Sequence, residues 1–157
     1  MNRPFPAYRG SDAYLFISYS HRDSNQVFGE VSRLRESEYN IWYDEGIEAG
    51  KEWRDEIATA ISSATVLVFF VTPNSVDSEN CRNEVSFAAD EQIPILTVYL
   101  EPANLSGGLR LMLSTRQAIK CYELGQQDYD DKLAAALNGY IQAESGANAF
   151  ANGTVTS

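Results

Sequence analysis

Glu84 is the residue of this chain best suited to chemistry. It ends the stretch Ser78-Glu-Asn-Cys-Arg-Asn-Glu84, which follows an apolar run and a Thr72-Pro-Asn-Ser75 break. If this stretch opens a helix, angles can be counted from Cys81 at about 100° per residue. Val85 then lies at about 40°, Ala88 at about −20° and Glu84 at about −60°. The carboxylate borders the apolar stripe, and partial desolvation there raises its pKa. The helix N-terminus and Arg82 pull the other way, and the balance predicts an ionised group at neutral pH. Such a carboxylate could stabilise a developing cation or hold ribose hydroxyls. The plainer reading is a surface glutamate in a helix salt bridge, and spacing alone favours it.

No second carboxylate is an obvious acid–base partner. Asp44 and Glu45 qualify only if the loop that carries them folds over a pocket. The run Asp44, Glu45, Glu48, Glu52, Asp55 and Glu56 reads as a solvated acidic face. Lys51 and Arg54 interrupt it and could meet phosphates, as could Arg22 and Arg82. Cys81, beside Arg82 at a helix start, could be a thiol of lowered pKa. With no well-placed histidine it reads better as a small core residue. Tyr19 could stack on a ring ligand from a strand end or simply pack. Trp53 reads as the core anchor of its helix, and His21 as an exposed residue. No GxGxxG or GxxxxGK[ST] phosphate loop is present.

Composition narrows the classes. The 157 residues include 12 Lys and Arg against 22 Asp and Glu, a formal charge of −10. The length predicts one domain. The acidity argues against a nucleic-acid binder, which needs a concentrated basic surface, and against docking on anionic lipid. Two cysteines and one histidine are too few for a disulfide framework, a Cys-rich zinc site or a His-pair metal site. The N-terminus lacks the apolar stretch of a signal peptide. The longest apolar run, Val66 to Val71, falls far short of the roughly 20 residues of a membrane helix. The expectation is a soluble protein of a reducing cytoplasm.

These side chains need elements to position them. Tyr14 to Tyr19 reads as a first strand, and Asn40 to Asp44 as a second. Thr65 to Val71 is apolar without alternation, as a strand buried on both faces would be. Pro94 to Leu100 and Ala118 to Cys121 complete five. Helices are expected from Asp23 or Ser24 to Glu36, around Trp53, Ile57, Ala60 and Ile61, from Asp77 to Glu91, briefly from Leu109 to Ser114, and from Asp128 to Ala143. Glu45 to Lys51, with Gly46 and Gly50, reads as a loop. Residues 1–13 form an N-terminal extension, and 144–157 a flexible tail or linker. Strands alternating with helices predict a parallel sheet with right-handed crossovers. Ligands of such a sheet bind outside the carboxyl ends of its strands, where strand order reverses. Ser18, Tyr19 and Arg22, the Asp44 loop, and Thr72 to Glu84 all fall there.

Phe16-Ile-Ser-Tyr-Ser20, then Asp23, Trp42-Tyr-Asp44, Gly50, Trp53, Ile57 and Ile61 follow one another at characteristic spacings, and the Ser78 to Glu84 stretch comes next. In this ordered set the chain, from Tyr14 to about Ile141, resembles a Toll/interleukin receptor (TIR) domain of the bacterial type. The resemblance implies a flavodoxin-like sheet of strand order 2-1-3-4-5 with helices on both faces. It also implies cleavage of NAD at the nicotinamide–ribose bond, with NAD as substrate and no metal or added cofactor. The family's catalytic glutamate falls on Glu84, its aromatic residue after the first strand on Tyr19, its loop aspartate on Asp44 and its helix-start cysteine on Cys81. Ser18, Arg22, Lys51 and Arg54 complete the expected substrate-binding set. Two departures stand out: Asn80 occupies the position where many catalytic members carry Trp, and the turn Ser37-Glu-Tyr-Asn40 lacks the frequent Gly.

The family also implies activation by self-assembly, a role in bacterial antiviral defence, and a possible sensing domain beyond the C-terminal tail. Two other readings stay open: a non-catalytic module acting by TIR–TIR association, and a mimic of host signalling.

Overall fold

The computed structural model describes the backbone over residues 4–44 and 51–151, and side chains over 4–44 and 53–145. Five strands, β1 (Leu15–Ser18), β2 (Ile41–Tyr43), β3 (Val66–Val71), β4 (Ile95–Tyr99) and β5 (Ala118–Lys120), form one sheet of order β2-β1-β3-β4-β5. Every neighbouring pair is parallel. This is the flavodoxin-like arrangement expected of the sequence. Among the described residues the α-helices are α1 (Ser24–Glu36), α2 (Lys51–Ser62), α3 (Pro73–Val76), α4 (Glu79–Asp90), α5 (Gly107–Leu113) and α6 (Gln126–Ala151).

Side chains alternate across the strands and so build two cores. Leu15, Ile17, Ile41, Tyr43, Val66, Val68, Phe70, Leu96 and Val98 face one way and meet Val27, Val31 and Leu34 of α1 and Leu133 and Leu137 of α6. Phe16, Trp42, Leu67, Phe69, Val71 and Ile95 face the other way. They meet Trp53, Ala60 and Ile61 of α2, Cys81, Val85 and Ala88 of α4, and Leu109 and Leu113 of α5. All six residues of β3 are buried, which is why that segment carries no hydrophobic alternation.

Three local findings depart from expectation. The Thr72–Ser75 break is itself a one-turn helix with a capping box: Thr72 accepts from the Ser75 amide, and Ser75 Oγ accepts from the Thr72 amide. Helix α4 consequently starts at Glu79, capped by Ser78, two residues after Asp77. Helix α6 runs on to Ala151, through residues read as the start of a flexible tail. Alanine-rich sequence sustains a helix by propensity where no apolar stripe signals one.

Residues ahead of β1 also pack. The Tyr8 amide donates to the Ile41 carbonyl at 2.8 Å, so the extension occupies the outer edge of β2. Tyr43 Oη donates to the Phe5 carbonyl, the two rings meet edge to face at 5.3 Å, and Arg35 covers the Phe5 ring at 4.9 Å. The loop expected at Glu45 to Lys51 lies, over residues 45–50, outside the described residues.

Candidate functional site

Order reverses between β1 and β3, and α4 packs across their carboxyl ends. Ser18 is the last residue of β1, is fully buried, and donates from Oγ to Glu84 Oε1 at 2.7 Å. Helix α4 carries Glu84 in its second turn after the Ser78 cap, at the border of the stripe that Cys81, Val85 and Ala88 bury in the core. The carboxyl therefore stands at the crevice, half-buried, against the end of the central sheet.

Two cavities open on either side of it. The larger, of about 320 Å³, lies between α2 and α4 and is walled by Trp53, Ile57, Ile61 and Phe87, with Arg54, Asn80 and Asn83 at its polar side. That volume sits at the low end of small-molecule sites. The smaller, of about 140 Å³, is polar and includes Tyr19, Ser20, His21, Arg22 and Ser78. Glu84, Asp44 and Asn80 line both, so the carboxyl stands where the two meet.

Burial raises the Glu84 carboxyl from its ordinary 4.5 to about 7, with the Asp44 carboxylate adding to the shift. The Ser18 hydroxyl and His21 oppose it less strongly. This corrects the expectation of a fully ionised group. From sequence, the helix terminus and Arg82 were expected to offset desolvation. In the structure Arg82 Nη1 instead donates to the Val76 carbonyl at 3.3 Å, away from both cavities. His21 Nε2 lies 3.3 Å from Asp44 Oδ2, and that contact raises the imidazole pKa. A glutamate, an aspartate and a histidine from three different segments thus stand close enough to influence one another electrostatically.

The other expected residues divide. Asp44 and Arg54 reach the larger cavity, and Arg22 reaches the smaller. Tyr19 is 6% exposed; its hydroxyl donates to the Asp44 carbonyl and its ring meets His21 and Phe28, so it holds the wall more than it offers a face. Cys81 is fully buried and lines neither cavity, and burial pushes its thiol up to about 11. Full burial in the core raises the thiol, the reverse of the lowered pKa considered from sequence, and agrees with the core reading. The Lys51 side chain lies outside the described residues.

Sequence reasoning passed over His21, Asn83 and Phe87. The histidine's role depends on Asp44, distant in sequence, and Phe87 lies one turn beyond Glu84, outside the Cys81, Val85 and Ala88 stripe. Asp23 is also informative: its carboxylate accepts from Thr72 Oγ1 and, at 2.8 Å, from Asn74 Nδ2. It ties the loops after β1 and β3 together at the switch point. Among the described residues no group of three or more acidic, histidine or cysteine side chains is placed to hold a metal ion.

A doubly wound parallel sheet of order β2-β1-β3-β4-β5, with a half-buried carboxyl at its switch point, is a flavodoxin-like α/β domain. A family model described as TIR domain matches residues 15–137, and the chain belongs to the TIR-domain family. No curated protein sequence matches it. Among solved structures it is similar to the TIR domain of the Toll-related receptor TRR-2 from Hydra magnipapillata, at 15% identity and a TM-score of 0.63, over 82% of this chain and 97% of that one. It is also similar to a 2-deoxyribosyltransferase from Bacillus psychrosaccharolyticus (12%, TM-score 0.53, 74% and 96%). The TIR domains of the activated Roq1 resistosome are a third likeness (18%, TM-score 0.50, 83% and 84%). At these identities the likeness is one of fold. No helix among the described residues is long and apolar enough to cross a membrane.

Proposed function

We propose that this TIR domain cleaves NAD at the nicotinamide–ribose bond, with Glu84 as the catalytic carboxylate. The observation that carries the reading is the Glu84 carboxyl at the meeting point of an apolar and a polar cavity, held by Ser18 at 2.7 Å. The apolar side suits a flat base, and the polar side, with Ser20, His21 and Arg22, suits ribose and phosphate. The C1′–N bond breaks with its electron pair leaving on nicotinamide, which departs neutral and needs no general acid. Positive charge develops on the ribose, and a fixed carboxylate beside it lowers the barrier electrostatically. Water, or a nucleophile of the same ADP-ribose, then takes C1′. A water gives up its proton to Glu84 or to solvent.

A role in antiviral defence and activation by self-assembly belong to the same proposal. The similar Roq1 domains come from an activated resistosome that recognises a pathogen effector. Association has a surface available: β5 is a short edge strand with Ala118 and Lys120 exposed. The same edge favours a second reading, a non-catalytic module acting by TIR–TIR association.

The test is nicotinamide release from NAD at high protein concentration, with a crowding agent and with assembly followed by light scattering. Wild type should turn over, and Glu84→Gln should lose at least about a hundredfold in kcat while assembling normally. Turnover retained by Glu84→Gln would sink the site assignment. An assembled wild type without turnover would leave the association module.

A further inference from the structure

Ser18 belongs to the substrate-binding set expected from sequence, yet it is fully buried and lines neither cavity. Its one hydroxyl proton goes to Glu84 Oε1 at 2.7 Å, the length of a charge-assisted O–H···O bond. The donor stands on rigid ground. Ser18 pairs with Phe69 of β3, and Ile17 before it pairs with Tyr43 of β2 on one side and Val68 of β3 on the other. The two oxygens of the carboxyl are not equivalent. Among the described residues Ser18 is the one hydrogen-bond partner of Glu84, and it takes Oε1. The buried side-chain atoms left without a partner there are Trp53 Nε1 and Thr97 Oγ1. Oε2, unbonded and not one of these, is therefore open to the crevice where the two cavities meet.

We propose that Ser18 is the positioning residue of this site: it ties Oε1 to the end of the central sheet and so presents Oε2 to the carbon on which positive charge develops. The inference rests on the reading above, in which that carbon is C1′ of NAD. A glutamate side chain has several rotatable bonds, and rate falls steeply when a stabilising group drifts by about an ångström. One short bond from an immobile strand end removes that freedom before substrate arrives. The same bond favours the ionised form, because a hydroxyl donates more strongly to a carboxylate than to a neutral carboxyl. The other charged or titratable groups around the carboxyl are Tyr19, His21 and Arg22 after β1, Asp44 after β2, Arg54 of α2 and Cys81 of α4. None of them bonds to it among the described residues, and all stay in place when Ser18 is changed.

The test is Ser18→Ala, which removes only the hydroxyl. Carboxyl ¹³C resonances of glutamate-labelled protein, with the Glu84 signal assigned by Glu84→Gln, read the titration without any turnover. We expect an inflection near 7 in wild type and a rise of about one pH unit in Ser18→Ala. Nicotinamide release by assembled protein at about pH 9, where the carboxyl is ionised in both, reads the orientation. There kcat should fall about tenfold with KM little changed, since Ser18 does not touch substrate. Ser18→Cys, kept reduced, is of similar volume and a poor donor, and it carries the same test if Ser18→Ala does not fold. An unmoved Glu84 titration overturns the inference, and so does a KM that rises with kcat kept, which returns Ser18 to substrate binding; both leave the reaction standing. No release by assembled wild type, even with Glu84 titrating as expected, overturns the reaction reading and this inference with it.

Discussion

Glu84 holds its proton to about pH 7 because burial outweighs every group that would ionise it. If the carboxylate is the working form, kcat/KM should rise with pH through an inflection near 7, which reports the free protein. Bound NAD brings a cationic ring beside the carboxyl and favours its ionisation, so the inflection in kcat should fall lower. Initial-rate profiles from pH 5 to 9 read both; a kcat/KM flat across that range would contradict the assignment. Stability follows the same shift. Below 4.5 the carboxyl is protonated whether folded or unfolded. Between 4.5 and about 7 the unfolded group ionises while the folded one keeps its proton, so stability falls as pH rises through that window. Glu84→Gln, a permanent mimic of the neutral form, should match wild type near pH 4.5 and exceed it by on the order of 2 kcal/mol at pH 8. Urea unfolding at the two pH values measures this.

At the scale of elements, two helices end on residues in the left-handed region, Glu38 at φ 72° and Gln92 at φ 61°. Both ends make the paired bonds of a Schellman motif. Glu38 N donates to Arg35 O and Tyr39 N to Leu34 O; Gln92 N donates to Ala89 O and Ile93 N to Ala88 O. The missing glycine noted in Ser37-Glu-Tyr-Asn40 is thus a real cost, carried at Glu38. Glu38→Gly should raise stability by about 0.5–1 kcal/mol with no effect on turnover, since the site lies at the opposite ends of the strands. Thermal unfolding checks it; no gain would mean the tight turn is not strained. Helix α6 teaches the converse. Its inner half was legible because Leu133, Ala136 and Leu137 repeat at helical spacing, while the stretch from Glu144 carries no such stripe and still continues the helix.

Across the whole molecule, the N-terminal segment is part of the fold. It pairs with β2, places Phe5 between Tyr43 and Arg35, and buries Ala7. One sheet edge is thereby covered and the β5 edge is left open, which directs any edge-wise association to one side. The Tyr8 amide should exchange slowly with solvent, on the scale of the β2 amides, and Phe5→Ala should lower stability by about 1 kcal/mol and speed that exchange. Rapid exchange at Tyr8 in the wild-type chain would show the segment to be loose.

The sequence by itself determined the alternation of five strands with helices, a parallel sheet, the faces of α1, α2 and α4, and Glu84 as the carboxyl bordering a core; the strand order came only from the family resemblance. Those features are written in local periodicity, because each element's buried face repeats within a few residues of itself. The tertiary structure alone decided the proton on Glu84, the pairing of His21 with Asp44, the demotion of Cys81 to the core and the orphaned Trp53 donor. Each depends on neighbours from other elements: desolvation sums over everything packed around a carboxyl, and whether a buried donor finds an acceptor among the described residues is decided by segments distant in sequence.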